Sequence, residues 1–337
     1  MSKIDKKLLF MYAENARSKL KDLARQLKKS PQRLKYTLKV MEEEKLISCP
    51  HTIIDYSYFG QILFRVYFKG SYTGAKDKKE IIEKLRSNIY VVSIYELQGE
   101  FDLVMEIEAP NPSRFNKELK KIVTEFSSLN KYKVILNVVT HLYPRMYLLE
   151  GQSLENISYP SEVIVGGDRV IEQFEERELR LIGGLLKKPQ MRMTNLAKYS
   201  GINIKTASSL LKGLQKRKVI RGFKYTLDYE SIGISKFRIF LSLHNLSVEK
   251  EAELLEYFKQ TGEITKLNKT VGDWDMEIDL ESFNKFRIRQ ITQQMREEFK
   301  DLIENFNLME FYETHHKSYL PRWLFEEKVE KEEKIKV

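Results

Sequence analysis

The sequence of 337 residues contains a single cysteine, Cys49, so no disulfide can form within the chain. A lone cysteine fits a reducing compartment, where free thiols persist. Long hydrophobic runs are absent, since no stretch reaches the roughly 18 apolar residues that a membrane span requires. The first residues, Met1–Asp5, contain no apolar signal region. These absences predict a soluble, cytoplasmic protein with no membrane partner.

Sequence patterns typical of catalysis are missing as well. The chain shows no nucleophile–base pair, no phosphate-binding loop and no carboxylate pair in a catalytic context. His315 and His316 are adjacent, and neighbouring residues on a strand point to opposite faces, so they do not form a two-ligand metal site. Cys49 and His51 lack the two further ligands of a structural zinc site. The sequence therefore predicts no catalytic residue, no metal, no cofactor and no enzymatic activity.

Positive charge and hydrophobic residues are plentiful by contrast. The formal net charge is +10 and the isoelectric point is near 9.2. Basic surfaces favour nucleic acids or anionic membranes as partners. Hydrophobic residues make up 42% of the chain, with 18 tyrosines and 18 phenylalanines, which is enough to fill real cores. The length predicts about two to four domains.

The stretch from Lys19 to Ile47 has the pattern of two helices joined by a short basic turn. Leucines and an alanine recur at helical spacing before Lys28, which predicts the first helix. Ser30 is a helix N-cap residue, and the proline after it suits the first helical position. A second apolar face and then an extended piece follow. Two helices, a tight turn and a strand predict a winged helix-turn-helix.

The same pattern recurs when 173 is added to each residue number. The match continues past the helices without a gap, and after one inserted residue Thr140-His141 meets Thr314-His315. A constant offset over more than about a hundred positions predicts a tandem duplication. The matched pairs include Leu23 with Leu196, Leu38 with Leu211, Gly60 with Gly233, Arg65 with Arg238, Gly99 with Gly272 and Asp102 with Asp275.

The second part of each half alternates strand and helix patterns in the order βαββαβ. In the first half a strand at 62–69 precedes a charged helix at 76–87, and two strands meet at Gly99. Ser113 is the expected cap of the next helix, and a strand from Lys133 to Tyr143 closes the set. This order is typical of a ferredoxin-like fold. The predicted fold class is α+β, with two copies of a three-helix winged helix-turn-helix followed by a ferredoxin-like domain.

The composition places the predicted domain boundaries. Val163-Ile164-Val165, between glycine- and proline-containing stretches, predicts one strand inside a linker. The predicted segments are a first winged helix at 1–60, a first ferredoxin-like domain at 61–148, a linker at 149–173, a second winged helix at 174–233, a second ferredoxin-like domain at 234–322 and a charged tail at 323–337.

This layout resembles the Lrp/AsnC family, the feast/famine regulators. Family members carry a Gly-x-Tyr/Phe-Asp hairpin in the ferredoxin-like domain, and this chain has Gly99-Glu100-Phe101-Asp102 and Gly272-Asp273-Trp274-Asp275. The resemblance covers nearly the whole chain, twice. It implies a DNA-binding transcriptional regulator whose ferredoxin-like domains sense a small, amino-acid-like ligand. It also implies self-association through those domains.

Some positions depart from the family pattern. The family's glycine between the two DNA-binding helices is present as Gly201, but Lys28 stands there in the first copy. A left-handed lysine costs on the order of 1 kcal/mol, so the first turn is expected to differ. The family's glycine before the wing is Lys45 or Lys218, and the arginine often found inside the recognition helix is missing. These departures leave identical DNA recognition open.

The outward residues of each second helix are the candidate contacts with double-stranded DNA. In the first copy an arginine suits a bidentate contact with guanine and a glutamine suits adenine. The second copy has fewer candidate residues and fewer charges, which predicts that the two helices recognise DNA unequally. The alternative is that these residues form two solvent-exposed helix faces that do not contact DNA. The candidates are Lys28, Lys29, Ser30, Gln32, Arg33, Lys35, Tyr36, Lys39, Asn203, Lys205, Thr206, Ser208, Ser209 and Lys212.

The hairpins supply the candidate ligand-binding residues. The resemblance places their aspartates near a ligand pocket, where a carboxylate suits the ammonium group of an amino acid. The alternative is a tight turn of acidic turn formers that needs no ligand. The candidates are Gly99, Glu100, Asp102, Gly272, Asp273 and Asp275.

Two alternative functions and two modes of self-association remain to be distinguished. Siroheme decarboxylase subunits look like this architecture and carry His and Arg in the sensing sheet, but the strand VVSIYELQ has neither. A protein-interaction scaffold without DNA binding is the other alternative. Self-association would form a pseudo-dimer within one chain or a homodimer of two chains, and a particle of 40.0 kDa in light scattering would exclude the second.

Overall fold

A computed structural model describes residues 5–70, 72, 74–149 and 162–325. Most of the predicted linker, 150–161, and most of the predicted tail, 326–337, lie outside these residues. Before the linker, three helices precede a strand and then a βαββαβ series. The elements are α1 (Lys6–Glu14), α2 (Leu20–Leu27), α3 (Pro31–Glu43), β1 (Ile47–Ile54), β2 (Ile62–Phe68), α4 (Ala75–Ser87), β3 (Val91–Gln98), β4 (Leu103–Ala109), α5 (Pro112–Glu125) and β5 (Tyr132–Leu142).

After the linker the order of elements recurs, although duplication itself stays a prediction. The predicted strand at Val163-Ile164-Val165 is present. The elements are β6 (Val163–Gly166), α6 (Glu176–Lys187), α7 (Met193–Tyr199), α8 (Ile204–Lys216), β7 (Ile220–Leu227), α9 (Tyr229–Ile232), β8 (Ser235–Leu243), α10 (Val248–Gln260), β9 (Ile264–Val271), β10 (Met276–Ser282), α11 (Lys285–Glu298) and β11 (Ile303–Lys317).

The chain divides into two compact units that do not follow the order of the sequence. The first unit contains Met1–Pro50, Val139–Ile164 and Phe223–Phe311. It therefore joins α1–α3, from the first half, to the sheet and helices of the second half. The second unit contains His51–Val138, Val165–Gly222 and Tyr312–Val337. It joins β2–β4, α4 and α5 to α6–α8.

Each unit contains a four-stranded antiparallel sheet of ferredoxin-like order. In the second unit β2 lies between β5 and β4, and β4 pairs with β3. In the first unit β8 lies between β11 and β10, and β10 pairs with β9. In each sheet, the first strand of the βαββαβ series is thus one of the two inner strands. The predicted fold class, α+β with winged helices and ferredoxin-like domains, is confirmed.

One face of each sheet packs on two helices and forms the hydrophobic core. In the second unit α4 contributes Ile81 and Leu85 and α5 contributes Phe115 and Leu119 to a cluster with alternate residues of β2, β3 and β4. In the first unit α10 and α11 close an equivalent cluster around β8, β9 and β10. Alternation along a strand directs every second side chain to this face, so the intervening residues lie on the opposite face.

One local expectation is corrected. Asn111, not Ser113, caps α5, because its side chain accepts the Arg114 backbone N–H at 2.8 Å and Pro112 takes the first helical position. β1 contains Pro50, and the residue before that proline, Cys49, has a positive φ of +40°. Within the described part of the chain, no helix has the length and apolar content needed to cross a membrane.

Candidate functional site

The local sequence fixes α3, the candidate recognition helix of the first unit. The Ser30 hydroxyl accepts the Arg33 backbone N–H at 3.3 Å, and Pro31 occupies the first turn, where its missing N–H removes no helical bond. One apolar face holds the helix against its unit and leaves the opposite face outward. That buried face consists of Leu34, Leu38 and Met41.

The outward face of α3 carries most of the first-copy candidates. Tyr36 is 71% exposed, which is unusual for an aromatic side chain, and it stands among cationic residues. Lys29 behaves differently, since it is half-buried and pairs with Asp5, the N-cap of α1. The exposed candidates are Lys28, Ser30, Gln32, Arg33, Lys35, Tyr36 and Lys39.

The turn before α3 does not differ from that of the second copy. Lys28 adopts the left-handed conformation with φ +52°, and Gly201 has φ +66°. The hydrogen bonds match: the N–H of Lys28 or Gly201 reaches a carbonyl three residues back, and the next N–H reaches one five residues back. The expectation of a different turn is wrong because the paired N–H groups hold lysine in the conformation that glycine adopts readily.

The second candidate helix, α8 in the second unit, is capped in the same way but is less basic. Asn203 accepts the Thr206 backbone N–H at 2.8 Å. Arg217, at the end of α8, is engaged by Glu178 at 2.7 Å and Glu172 at 3.4 Å. Of the candidates here, Asn203, Lys205, Ser209 and Lys212 are exposed, and Thr206 and Ser208 are half-buried.

The hairpin residues shape and stabilise the backbone of the two turns. Gly99 and Gly272 have φ of +146° and +154°, a region that favours glycine. Asp275 uses its carboxylate to accept the Leu243 backbone N–H at 2.7 Å. Glu100 and Asp273 are exposed, and Asp102 is half-buried. The hairpins therefore have a structural use in this fold, and ligand binding there remains a prediction.

In the second unit, the sheet face opposite the helices contains a buried charged cluster that sequence reasoning missed. The Arg65 side chain is 0% exposed; it donates to Glu106 at 2.8 Å and to Asn137 at 2.9 Å. Lys317 of β11 donates to the Tyr95 hydroxyl at 2.7 Å and lies 3.4 Å from Glu106. Buried charges persist when they are paired and hydrogen-bonded.

Glu108 is the exception within that cluster. Its side chain is buried, and its Oε2 atom has no hydrogen-bond partner. Burial, and then the negative charge of Glu106, raise the pKa of Glu108 well above its ordinary value. This shift favours the neutral acid, which is a hydrogen-bond donor as well as an acceptor.

The first unit has a corresponding cluster on β8 and β10. Arg238 forms a two-point pair with Asp279, at 2.6 and 3.0 Å. Lys236 lies 3.5 Å from Asp279 and 3.3 Å from Glu281. Burial by itself raises the pKa of Asp279, but the Arg238 and Lys236 charges outweigh it and hold that pKa below its ordinary value.

A buried ionic chain extends from this cluster to the helices α1–α3. The Arg145 guanidinium donates to Glu281 of β10 at 3.2 Å and to Glu14 of α1 at 2.8 Å. Lys224 of β7 also pairs with Glu14. Because Arg145 holds carboxylates from both parts, it ties the winged helix to the sheet within the first unit.

The sequence contained a signal for these clusters. β4 reads Met-Glu-Ile-Glu, and β10 reads Met-Glu-Ile-Asp-Leu-Glu, so acids occupy every second position. Alternation ordinarily predicts a solvent-exposed polar face. Arg65 and Arg238, at matching places on β2 and β8, were the clue that these acids are paired and buried.

The comparisons with known proteins agree on the N-terminal helices. Residues 1–48 match a family described as winged helix-turn-helix DNA-binding. This match spans a small part of the chain, which therefore carries a DNA-binding domain of this type at its N-terminal end. Among curated proteins, nothing matches the chain.

Among solved structures, the siroheme decarboxylase NirDL is similar over almost the full length. One structure has a TM-score of 0.57 at 14% identity, covering 98% of this chain and 99% of that chain. A second, in co-complex with an iron-uroporphyrin III analogue, has a TM-score of 0.56 at 13% identity, covering 97% and 98%. A transcriptional regulator from Neisseria meningitidis in complex with L-Met scores 0.38 at 12% identity, covering 44% and 97%.

The expectation that the chain has no enzymatic activity is corrected by this likeness. It rested on the absence of recognisable catalytic patterns, whereas over nearly the whole chain the fold is similar to that of an enzyme. It also rested on β3 alone, which has neither His nor Arg. Strand pairing places His315 of β11 against Glu96 of β3, at 2.6 Å, so the sheet of the second unit contains both Arg65 and a histidine.

Proposed function

We propose that the chain is a sequence-specific DNA-binding transcriptional regulator that reads the major groove with α3. The observation that carries this is the outward face of α3, where three cationic side chains and an exposed tyrosine sit on a capped helix of a matched winged helix-turn-helix. Recognition helices of this class place their N-terminal residues against base edges.

The positions on α3 divide into two roles. Gln32 and Arg33 lie in the first turn, where side chains meet base edges, and Arg33 has the two-point geometry suited to guanine. Lys28 lies before this turn and Lys39 about two turns after it, and both suit phosphate contacts, which position the helix without reading sequence. The exposed Tyr36 adds a hydroxyl for phosphate or sugar.

The second helix, α8, contributes less charge. Lys205 and Lys212 are its exposed cations. We therefore propose an asymmetric DNA site in which α3 supplies most of the base reading and α8 mainly holds the backbone. A small, amino-acid-like effector at the ferredoxin-like domains is part of the same proposal.

The test of α3 is the double change Arg33→Ala with Lys35→Ala. Removing two cations should lower the slope of log affinity against log salt by about 2 and should remove the preference for particular sites. The matched control is Lys117→Ala with Lys120→Ala, which removes two exposed charges from α5. Equal loss in both variants would contradict a reading role for α3.

Siroheme decarboxylation is a second candidate function, favoured by the full-length likeness to NirDL. Lys317, whose side chain is 12% exposed, is a cation on this sheet that suits a carboxylate of a tetrapyrrole. Titration with the iron-uroporphyrin III analogue should then give a saturable Soret shift, and siroheme should release CO2. An unchanged spectrum would remove this candidate.

A further inference from the structure

Three side chains with metal-binding atoms meet on one side of the sheet in the second unit. His315 lies with Nε2 2.6 Å from Glu96 Oε1 and with Nδ1 3.6 Å from Glu313 Oε1. One donor atom from each residue lies within 4.8 Å of the others. The pairing of β11 with β3 brings them together across more than two hundred residues of sequence, so no spacing motif predicts the cluster.

The three side chains of this cluster differ in their exposure to solvent. The Glu96 side chain is 4% exposed, His315 is 15% exposed and Glu313 is 56% exposed. A hydrated cation can therefore approach past Glu313 and exchange water for the two deeper ligands. The inner ligand is fixed and the outer one can move, which suits a site that loads from solvent.

The deeper carboxylate is held by groups around it. Lys78 of α4 lies 3.1 Å from Glu96 and donates a hydrogen bond to its carboxylate. Glu96 is therefore oriented by a contact outside the cluster, as a ligand carboxylate should be.

We propose that Glu96, Glu313 and His315 bind one divalent transition-metal cation. One imidazole nitrogen and two carboxylate oxygens suit zinc, with water in the fourth position. Ligand atoms around tetrahedral zinc lie about 3.4 Å apart. With the cation on Nε2, this nitrogen and Glu96 Oε1 would thus separate by roughly 0.8 Å, and the exposed Glu313 would move from the Nδ1 side to the Nε2 side.

The first unit provides an internal comparison. At the matching positions His141 is retained, but Glu96 is replaced by Lys269 and Glu313 by Val139. His141 instead pairs with a single carboxylate, Glu162, at 2.7 Å. Among the described residues, the three-ligand cluster therefore occurs in the second unit.

The experiment uses the full chain, stripped with a chelator and titrated with zinc by calorimetry and with cobalt by visible absorption. Glu313→Gln and His315→Gln should each weaken binding by at least about 10-fold, since even outer-shell changes cost about that much. Matched controls are Glu304→Gln, an exposed acid on β11, and His141→Gln. Melting without metal checks that each variant folds.

The expected result is one cation per chain, cobalt bands typical of nitrogen and oxygen ligands, and losses confined to the two site variants. Equal binding by wild type and Glu313→Gln would overturn the proposal. So would sulfur-to-cobalt charge-transfer bands, which would assign the metal to Cys49, or an absence of binding.

Discussion

The paired buried charges are the feature that distinguishes this protein at the scale of single residues. Arg65 with Glu106 and Arg238 with Asp279 occupy matching places, and their side chains are at most 2% exposed. Such pairs add little net stability compared with apolar residues, but removing one partner is strongly destabilising. We infer that they fix the register of the central strands.

Asp279→Asn tests this pairing, because it removes the two-point carboxylate partner of the buried Arg238 and leaves the more distant Glu277, at 3.6 Å. At neutral pH the free energy of unfolding should fall by about 3–5 kcal/mol. The folded-state pKa of Asp279 lies below its ordinary 3.8, so its contribution is present above that value and is lost as pH falls towards the folded pKa.

Chemical denaturation of wild type and Asp279→Asn between pH 7 and pH 3 measures the difference. The difference in free energy of unfolding between wild type and Asp279→Asn should be constant above about pH 4 and should become smaller below it. The exposed Asp301→Asn is the control and should match wild type throughout. A gap that widened on acidification would contradict the assignment.

At the scale of elements, left-handed lysines stand where the helix-to-strand turns need positive φ. Lys45 has φ +57° and Lys218 has φ +64°, each just after the recognition helix of its copy. Lysine is strained there, and glycine is not. The fold accepts this cost, because the Lys45 N–H still bonds the Glu42 carbonyl at 3.1 Å.

Lys45→Gly should therefore raise the free energy of unfolding by up to about 1 kcal/mol. The matched control is Lys39→Gly, inside α3, which should lower it by about 1 kcal/mol. Thermal unfolding of both variants measures the two shifts. If both changes were destabilising, the left-handed strain at Lys45 would be absent.

Local elements were predictable from the sequence because their determinants lie within a few residues. The cap at Ser30, the proline after it and the order of strands are examples. The Asn111 cap was missed because two polar residues flank Pro112, and the sequence does not show which one accepts the N–H. The burial of Glu106 was missed because alternation defines two faces without showing which is covered.

At the scale of the whole molecule, each compact unit is built from both halves of the chain. No local pattern predicts this, since the contacts join residues more than a hundred positions apart. In the first unit, Glu14 of α1 and Glu281 of β10 share Arg145. A change in that sheet therefore has a direct route to the winged helix that carries α3.

Arg145→Ala should expose this coupling, because it removes the guanidinium that Glu14 and Glu281 share, while Lys224 and Lys236 each remain beside only one of these carboxylates. Amide hydrogen exchange should become faster in α1–α3 and in β10 together, because the free energy of unfolding of the first unit falls by about 3–5 kcal/mol. The helices α6–α8, which belong to the other unit, are the internal control and should keep their protection. Faster exchange in β10 with unchanged α1–α3 would show that the winged helix is held by other contacts.

The central claim is DNA reading, and the most direct measurement is a salt series of the unmodified chain on two duplexes, its own upstream DNA and a scrambled sequence of equal length. The account predicts binding to both at low salt, a linear fall of log affinity with log salt, and a preference for the upstream duplex that persists as salt rises. Absence of binding at low salt, or equal affinity for the two duplexes at every salt concentration, would contradict it.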